Sequence, residues 1–195
     1  GVNHFFDIAD YITINISSPN TEGLRDFQNE QRLISLVKSI NFLKKNLKSK
    51  IPIMLKISPE IEDSLIEKIS EIAVNNSISA LILTNTSDVN RENLNSNKKN
   101  EKGGLSGKPI EEISNKLISK FYKVLKGKVP IIGVGGVDSG QSVYKKVLAG
   151  ASLVQLYTGM VYKGPQIVKN IKKEFIEKLK KDGVKNFTEI IGQAH

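Results

Sequence analysis

Lys56 stands in the middle of an apolar run, IMLKI, flanked by Leu55 and Ile57. A buried ammonium costs several kcal/mol unless it is paired, so a lysine there points to an anionic or electron-rich ligand. Other polar residues recur where apolar runs end. ITIN is followed by ISSPNTEGLR, which brings Asn15, Ser17, Ser18 and Asn20 together; taken alone, the serines before Pro19 also make an ordinary turn. LIL is followed by Thr84, Asn85 and Thr86, of which Asn85 could equally cap a turn. PIIGVGG carries Gly133, Gly135 and Gly136, which let backbone N–H groups approach a phosphate closely. Tyr157 and Thr158 end the last run, and GGLSGKP adds Gly107 and Lys108. That segment is not a Walker loop, because Pro109 follows Lys108 where serine or threonine is required. No carboxylate pair, histidine cluster or metal-ligand set is visible, and His4 and His195 sit at the two ends. With no cysteine, a thiolate nucleophile, a disulfide and a cysteine metal site are all excluded.

These groups need elements to hold them. Five apolar runs, Ile12–Ile16, Ile53–Ile57, Ala80–Leu83, Ile131–Val134 and Leu153–Leu156, read as buried strands bounded by turn residues. Helical stripes lie between them: Leu33, Val37, Ile40, Leu47; Leu65, Ile69, Ile72, Ala73; Ile110, Ile113, Leu117, Phe121, Leu125; and Val143, Val147, Leu148. The last of these has Ser139 as N-cap and Gly150 as C-terminal stop. A final stripe, Ile167, Val168, Ile171, Phe175 and Leu179, opens after Pro165 and closes at Gly183. Strand and helix in alternation imply parallel strands with crossover helices. No G-x-G-x-x-G supports a dinucleotide fold. A (β/α) barrel fits better and puts every polar cluster at the strands' C-terminal rim, but closure needs eight strands. Five leave two raw edges, so either strands are missing from this chain or the sheet is open. The polar stretch SDVNRENLNSNKKNEK, residues 87–102, reads as a lid or as a disordered insertion.

The chain has 195 residues, 39% hydrophobic and 25% charged, as one globular domain would. No apolar run approaches the roughly 18 residues that span a bilayer. No signal peptide is visible, and without an initiator methionine the chain is expected to begin partway into a longer protein. The net charge of +9 would suit nucleic acid, but the lysines are spread over several helices without interleaved aromatics, the pattern of a solvated surface.

Five segments, DYITINISSPNTEGLR, IMLKISPE, LILTNTS, GGLSGKP and PIIGVGGVDSGQSVYKKVLAGASLVQLYTGMVYKGP, together resemble the C-terminal part of the class 2 dihydroorotate dehydrogenases. The resemblance covers nearly all of the chain. It implies an α/β fold, a (β/α)8 TIM barrel of which this chain supplies about five βα units. Residues 1–195 would be the C-terminal part of a single FMN-binding domain whose N-terminal strands and membrane-associating helices lie elsewhere. It implies FMN as cofactor and Ser18 as catalytic base, at the position where the related soluble class uses cysteine. Asn15 would touch both flavin and substrate, and Asn20, Asn85 and Thr86 would hydrogen-bond the orotate ring and its carboxylate. Lys56 would lie by the flavin ring, Thr84 and Gly107 would line it, and Gly136, Tyr157 and Thr158 would hold the FMN phosphate. The implied reaction is oxidation of dihydroorotate to orotate in pyrimidine biosynthesis. Ser18 takes a proton from ring carbon 5, a hydride leaves carbon 6, and a quinone finally accepts the electrons. The implied location is peripheral to an inner membrane, cytoplasmic or mitochondrial, with no nucleic-acid partner. The 195 residues are expected to fold natively only with the N-terminal half of the barrel. The residues alone leave two other readings open: a phosphate-ligand barrel isomerase or synthase without redox chemistry, and an inactive half-barrel.

Overall fold

The computed structural model describes residues 1–89 and 91–194. Asn90, inside the polar stretch, and His195 lie outside the described residues. Five strands form one sheet: β1 (Ile12–Asn15), β2 (Ile53–Ile57), β3 (Ala80–Leu83), β4 (Ile131–Val134) and β5 (Leu153–Gln155). Their order in the sheet is their order in the chain, and every pairing is parallel. Each strand after β1 is reached by a helical crossover, as parallel neighbours require. After a first short turn α1 (Val2–Phe5), the helices are α2 (Glu30–Asn46), α3 (Asp63–Asn75), α4 (Glu111–Leu125), α5 (Gly140–Ala149), α6 (Thr158–Lys163) and α7 (Ile167–Lys181).

The side-chain period of the strands divides the molecule into two layers. In β2, Ile53, Leu55 and Ile57 are buried under the helices, beside Leu33, Val37, Ile69, Ile118 and Phe121. Burying one such side chain stabilises the fold by about 1.5–3 kcal/mol, and this layer is the main source of cohesion. Met54 alternates to the opposite face and packs with Ala80, Ile82, Ile132 and Val134. That small second cluster is the inner face of the curved sheet. Lys56, two residues beyond Met54, shares its side. A satellite core of Val143, Tyr144, Val147, Ile167 and Ile171 joins α5 to α7.

Boundaries match the sequence reading closely, with small physical exceptions. β1 and β5 each stop one residue early, leaving Ile16 and Leu156 at the start of the functional loops. α2 ends at Asn46, so Leu47 is its C-cap rather than part of its stripe. Val168 is 41% exposed, so the α7 stripe is narrower than expected. α6 is an element the sequence did not announce: six residues, TGMVYK, with none of them buried. α5 starts as expected, with the Ser139 side chain accepting from the Ser142 N–H and the Ser142 hydroxyl accepting from the Ser139 N–H. β1 and β5 each pair on one side only, so both edges of the sheet are open. The described residues of the polar stretch, 87–89 and 91–102, are gathered rather than extended. Ser87 and Leu105 pair across the base, and the Arg91 guanidinium donates to the carbonyls of Lys99, Glu101 and Gly103.

Candidate active site

Strand register sets the first contacts. Asn15 is the partner of Lys56 in the β1–β2 ladder, and Lys56 is the partner of Ile82 in the β2–β3 ladder. Burial pushes the Lys56 ammonium below the ordinary lysine range. Among the described residues it has neither an ion pair nor a hydrogen bond, so a half-buried positive charge faces the interior without a partner. Next to it the amides are already fixed. Asn85 Nδ2 donates to Asn15 Oδ1 and to Ser17 Oγ, each at 3.0 Å. Ser17 Oγ donates in turn to Asn15 Oδ1 at 3.0 Å, and the Thr86 N–H donates to Asn85 Oδ1 at 2.8 Å. With its oxygen committed inward, Asn15 presents its two amide N–H donors outward, suited to a carbonyl or carboxylate oxygen.

The two serines of ISSPN have separate roles. Ser17 is fully buried and belongs to the amide network. Ser18 is half-buried, and its Oγ accepts from the Asn20 N–H at 3.2 Å. The following Pro19 closes on Gly104: a Cβ there would lie 3.2 Å from Pro19 Cγ and overlap Thr86 Oγ1. The Ser18 loop thus stands at the rim beside Thr86. Arg25 fastens the far end of the loop, with Nη2 3.0 Å from Glu60 Oε2 after β2 and Nη1 3.0 Å from Asp88 Oδ1 after β3. Asn20 is the outlier. It is exposed and lines a separate depression with Asp88, Arg91 and Gly103, away from Asn85.

The remaining candidates converge. Lys56, Thr84, Asn85, Thr86, Gly107, Gly136, Tyr157 and Thr158 all line one cavity of about 250 Å³. Across Gly107, Gly136 and Thr158 it adjoins a second cavity of about 690 Å³, which Lys108 and residues of the 87–102 stretch also line. Two glycines form its floor at positive φ. Gly107 has φ +78°, and a Cβ would sit 2.8 Å from Thr158 Cγ2; Gly136 has φ +75°, and a Cβ would sit 2.8 Å from Glu111 Cα. A side chain at Gly107 would press on Thr158, which lines the cavity, and one at Gly136 would collide with the start of α4 behind it. Thr158 Oγ1 donates to Ser106 Oγ at 2.8 Å, tying the loop after β5 to the GGLSGKP turn. An unpartnered ammonium and a glycine floor on one cavity suit a ligand that carries both an electron-rich ring and a phosphate.

One residue escaped the sequence reading. Lys146 is fully buried in α5, with Nζ 2.9 Å from Ser114 Oγ and 2.9 Å from Asn115 Oδ1. Its signal was present, since Lys146 falls on the stripe of Val143 and Val147. Burial pushes its pKa down to about 7; the Glu111 carboxylate acts in the opposite direction and Lys108 in the same one. Glu111 also has Lys108 and Lys145 as ion-pair partners. The unfolded chain keeps the Lys146 proton up to its ordinary 10.5, whereas the folded chain releases it near 7. The unfolded state therefore binds more protons in that window, so this group makes stability rise with pH and exacts its full cost below about 7. In the complete protein the urea midpoint is expected to climb from pH 7 toward 10.5, and Lys146→Met to flatten most of that climb. An equal slope in the variant would refute the assignment.

A sequential parallel sheet with its polar groups collected at the C-terminal ends of the strands is the architecture of (β/α) barrel enzymes. Comparison with known proteins narrows the class. A family model described as dihydroorotate dehydrogenase matches residues 1–179, and the chain belongs to the dihydroorotate dehydrogenase family. It is 44% identical over 191 residues to the dihydroorotate dehydrogenase (quinone) of Bartonella tribocorum, covering 95% of this chain and 53% of that protein. To the mitochondrial dihydroorotate dehydrogenase (quinone) of Arabidopsis thaliana it is 41% identical over 201 residues, covering 100% of this chain and 44% of the relative. The crystal structure of DHODH from Eimeria tenella in complex with ferulenol superposes with a TM-score of 0.96 at 35% identity, over 100% of this chain and 56% of that one. The chain thus spans about half the length of the curated relatives it matches.

Proposed function

We propose that the complete protein oxidises dihydroorotate to orotate with FMN as first acceptor and a quinone as final acceptor, in pyrimidine biosynthesis. The observation that carries this reading is the unpartnered Lys56 ammonium on a cavity shared with Asn85 and the glycine floor. Bound FMN would supply hydride acceptance and onward electron transfer. Everything else falls to the chain. Gly136, Tyr157 and Thr158 would hold the phosphate, and Thr84 and Gly107 would line the cofactor. Lys56 would keep a positive charge beside the ring as electron density accumulates there. Asn15, Asn85 and Thr86, already ordered by their own hydrogen bonds, would hold the substrate in one orientation, so that little ordering is left for the reacting complex. Ser18 would take the proton from ring carbon 5. Asn20 would reach the substrate only if the rim loop turned it inward from its present place.

We further propose that N-terminal barrel strands, outside these residues, pair with the open edges of β1 and β5. No described helix is long and apolar enough to cross a membrane. The peripheral inner-membrane contact belongs, in this reading, to N-terminal helices. The names of the relatives carry the quinone.

The complete protein should be yellow, with flavin absorbance that dihydroorotate bleaches under anaerobic conditions and a quinone restores. A colourless protein that cannot be reconstituted with FMN would instead favour a phosphate-ligand barrel without redox chemistry.

A further inference from the structure

The buried ammonium of Lys146 has no place in the chemistry above, yet a hydrophobic side chain of similar volume at a buried charged site is often neutral or stabilising. What it touches suggests why a charge is kept there. The stem packs on β4: a Cβ on Gly133 would lie 3.1 Å from Lys146 Cδ. When protonated, below about pH 7, Lys146 can only donate, so at 2.9 Å Ser114 Oγ must be the acceptor. The single hydroxyl proton of Ser114 is then directed to its other neighbour, the Val134 carbonyl oxygen, at 2.6 Å. That oxygen also accepts the Thr84 N–H from the end of β3 at 3.1 Å, which occupies both of its lone pairs. The peptide joining Val134 to Gly135 is planar, so fixing its carbonyl toward β3 turns the Gly135 N–H to the opposite edge, the side of β5. Gly135, Gly136, Tyr157 and Thr158 line the same cavity on that side.

We propose that Lys146 is a positioning residue for the phosphate end of the cofactor site, acting through the Ser114 hydroxyl on the peptide that opens the Gly135–Gly136 turn. The inference rests on the reading that this turn receives the FMN phosphate. Asn115 completes the arrangement by accepting from the same ammonium, which keeps it centred between α4 and α5. Lys146 never touches the ligand. It decides which way a hydroxyl proton points, and that proton fixes a backbone amide.

The test compares FMN with riboflavin, which lacks the phosphate, as ligands of the complete apo-protein, with dissociation constants read from quenching of flavin fluorescence. Lys146→Met should weaken FMN about tenfold, the scale of losing one charge-assisted hydrogen bond, and leave riboflavin within about twofold. Ser114→Ala, a smaller change that carries the same expectation alone if Lys146→Met fails to fold, should weaken FMN similarly. The double variant should be no weaker than either single one, because both remove the same link. Equal losses for FMN and riboflavin, or additive losses for the two substitutions, would overturn the proposal. Unchanged FMN affinity in both variants would overturn it while leaving the FMN reading intact. A wild-type protein that binds neither ligand would remove both.

Discussion

Under the proposed function, Ser18→Ala in the complete protein should slow reduction of the flavin by dihydroorotate by a factor on the order of a hundred to ten thousand, the usual cost of losing a general base. FMN stays bound, because Ser18 does not line the cavity that holds Lys56, Gly107 and Gly136. The measurement is the rate of anaerobic bleaching in a stopped-flow instrument. The structure gives a reason to choose Ser18 over its neighbour. Ser17 is buried with its hydroxyl committed twice, as donor to Asn15 and as acceptor from Asn85. Ser18 Oγ accepts one N–H, that of Asn20, and among the described residues its own proton has no acceptor. The backbone donor favours the negative charge that develops on Oγ as the hydroxyl's own proton leaves, which readies the oxygen to take the substrate proton. A serine is a weak base, so its own proton must leave through solvent at the rim, where the hydroxyl is half-exposed. Bleaching at the wild-type rate would remove Ser18 from the mechanism.

The strands were legible because each apolar run is short and closed by turn residues; the expectation that all five are buried fails at β1 and β5, which contain no buried residue because each pairs on one side only. β2, β3 and β4 have the expected bounds to the residue. Lys56 was legible for the same reason: period two places one polar side chain among apolar ones on a known face. Other features depend on contacts distant in sequence. The division of labour between Ser17 and Ser18 is set by Asn85, 68 residues away from Ser17. The compact form of the polar stretch depends on Arg91 collecting three carbonyls, which no local pattern announces. α6 is too short and too exposed to leave a hydrophobic period. Lys146 lay in plain view on an apolar stripe, but a lysine at such a position ordinarily snorkels to solvent. Only the packing of α4 against α5 shows that it does not.

Gly136→Ala should abolish tight retention of FMN, raising its dissociation constant on the order of a hundredfold, equivalent to roughly 3 kcal/mol. Two costs coincide at this residue. Its φ of +75° is one that a side chain adopts at a penalty of about 1–2 kcal/mol, which by itself predicts only a loss of stability. The second cost is local: the new Cβ would lie 2.8 Å from Glu111 Cα, and helix backbone cannot yield as a flexible side chain would. The turn itself must move, and its N–H groups leave the positions from which they could meet a phosphate. Gly127 separates the two effects. It has φ +79° and nothing within 4 Å of where a Cβ would stand, so Gly127→Ala carries the strain without the collision. Gly127→Ala should lose stability in urea by the strain alone and Gly136→Ala by more, and under conditions where both remain folded only Gly136→Ala should lose its flavin on gel filtration. If the two released FMN alike, the loss would reflect general destabilisation, and the glycine floor would have no claim to the phosphate. If neither released it, the phosphate would have to be held elsewhere on the rim, and the assignment of Tyr157 and Thr158, which share that floor, would fall with it.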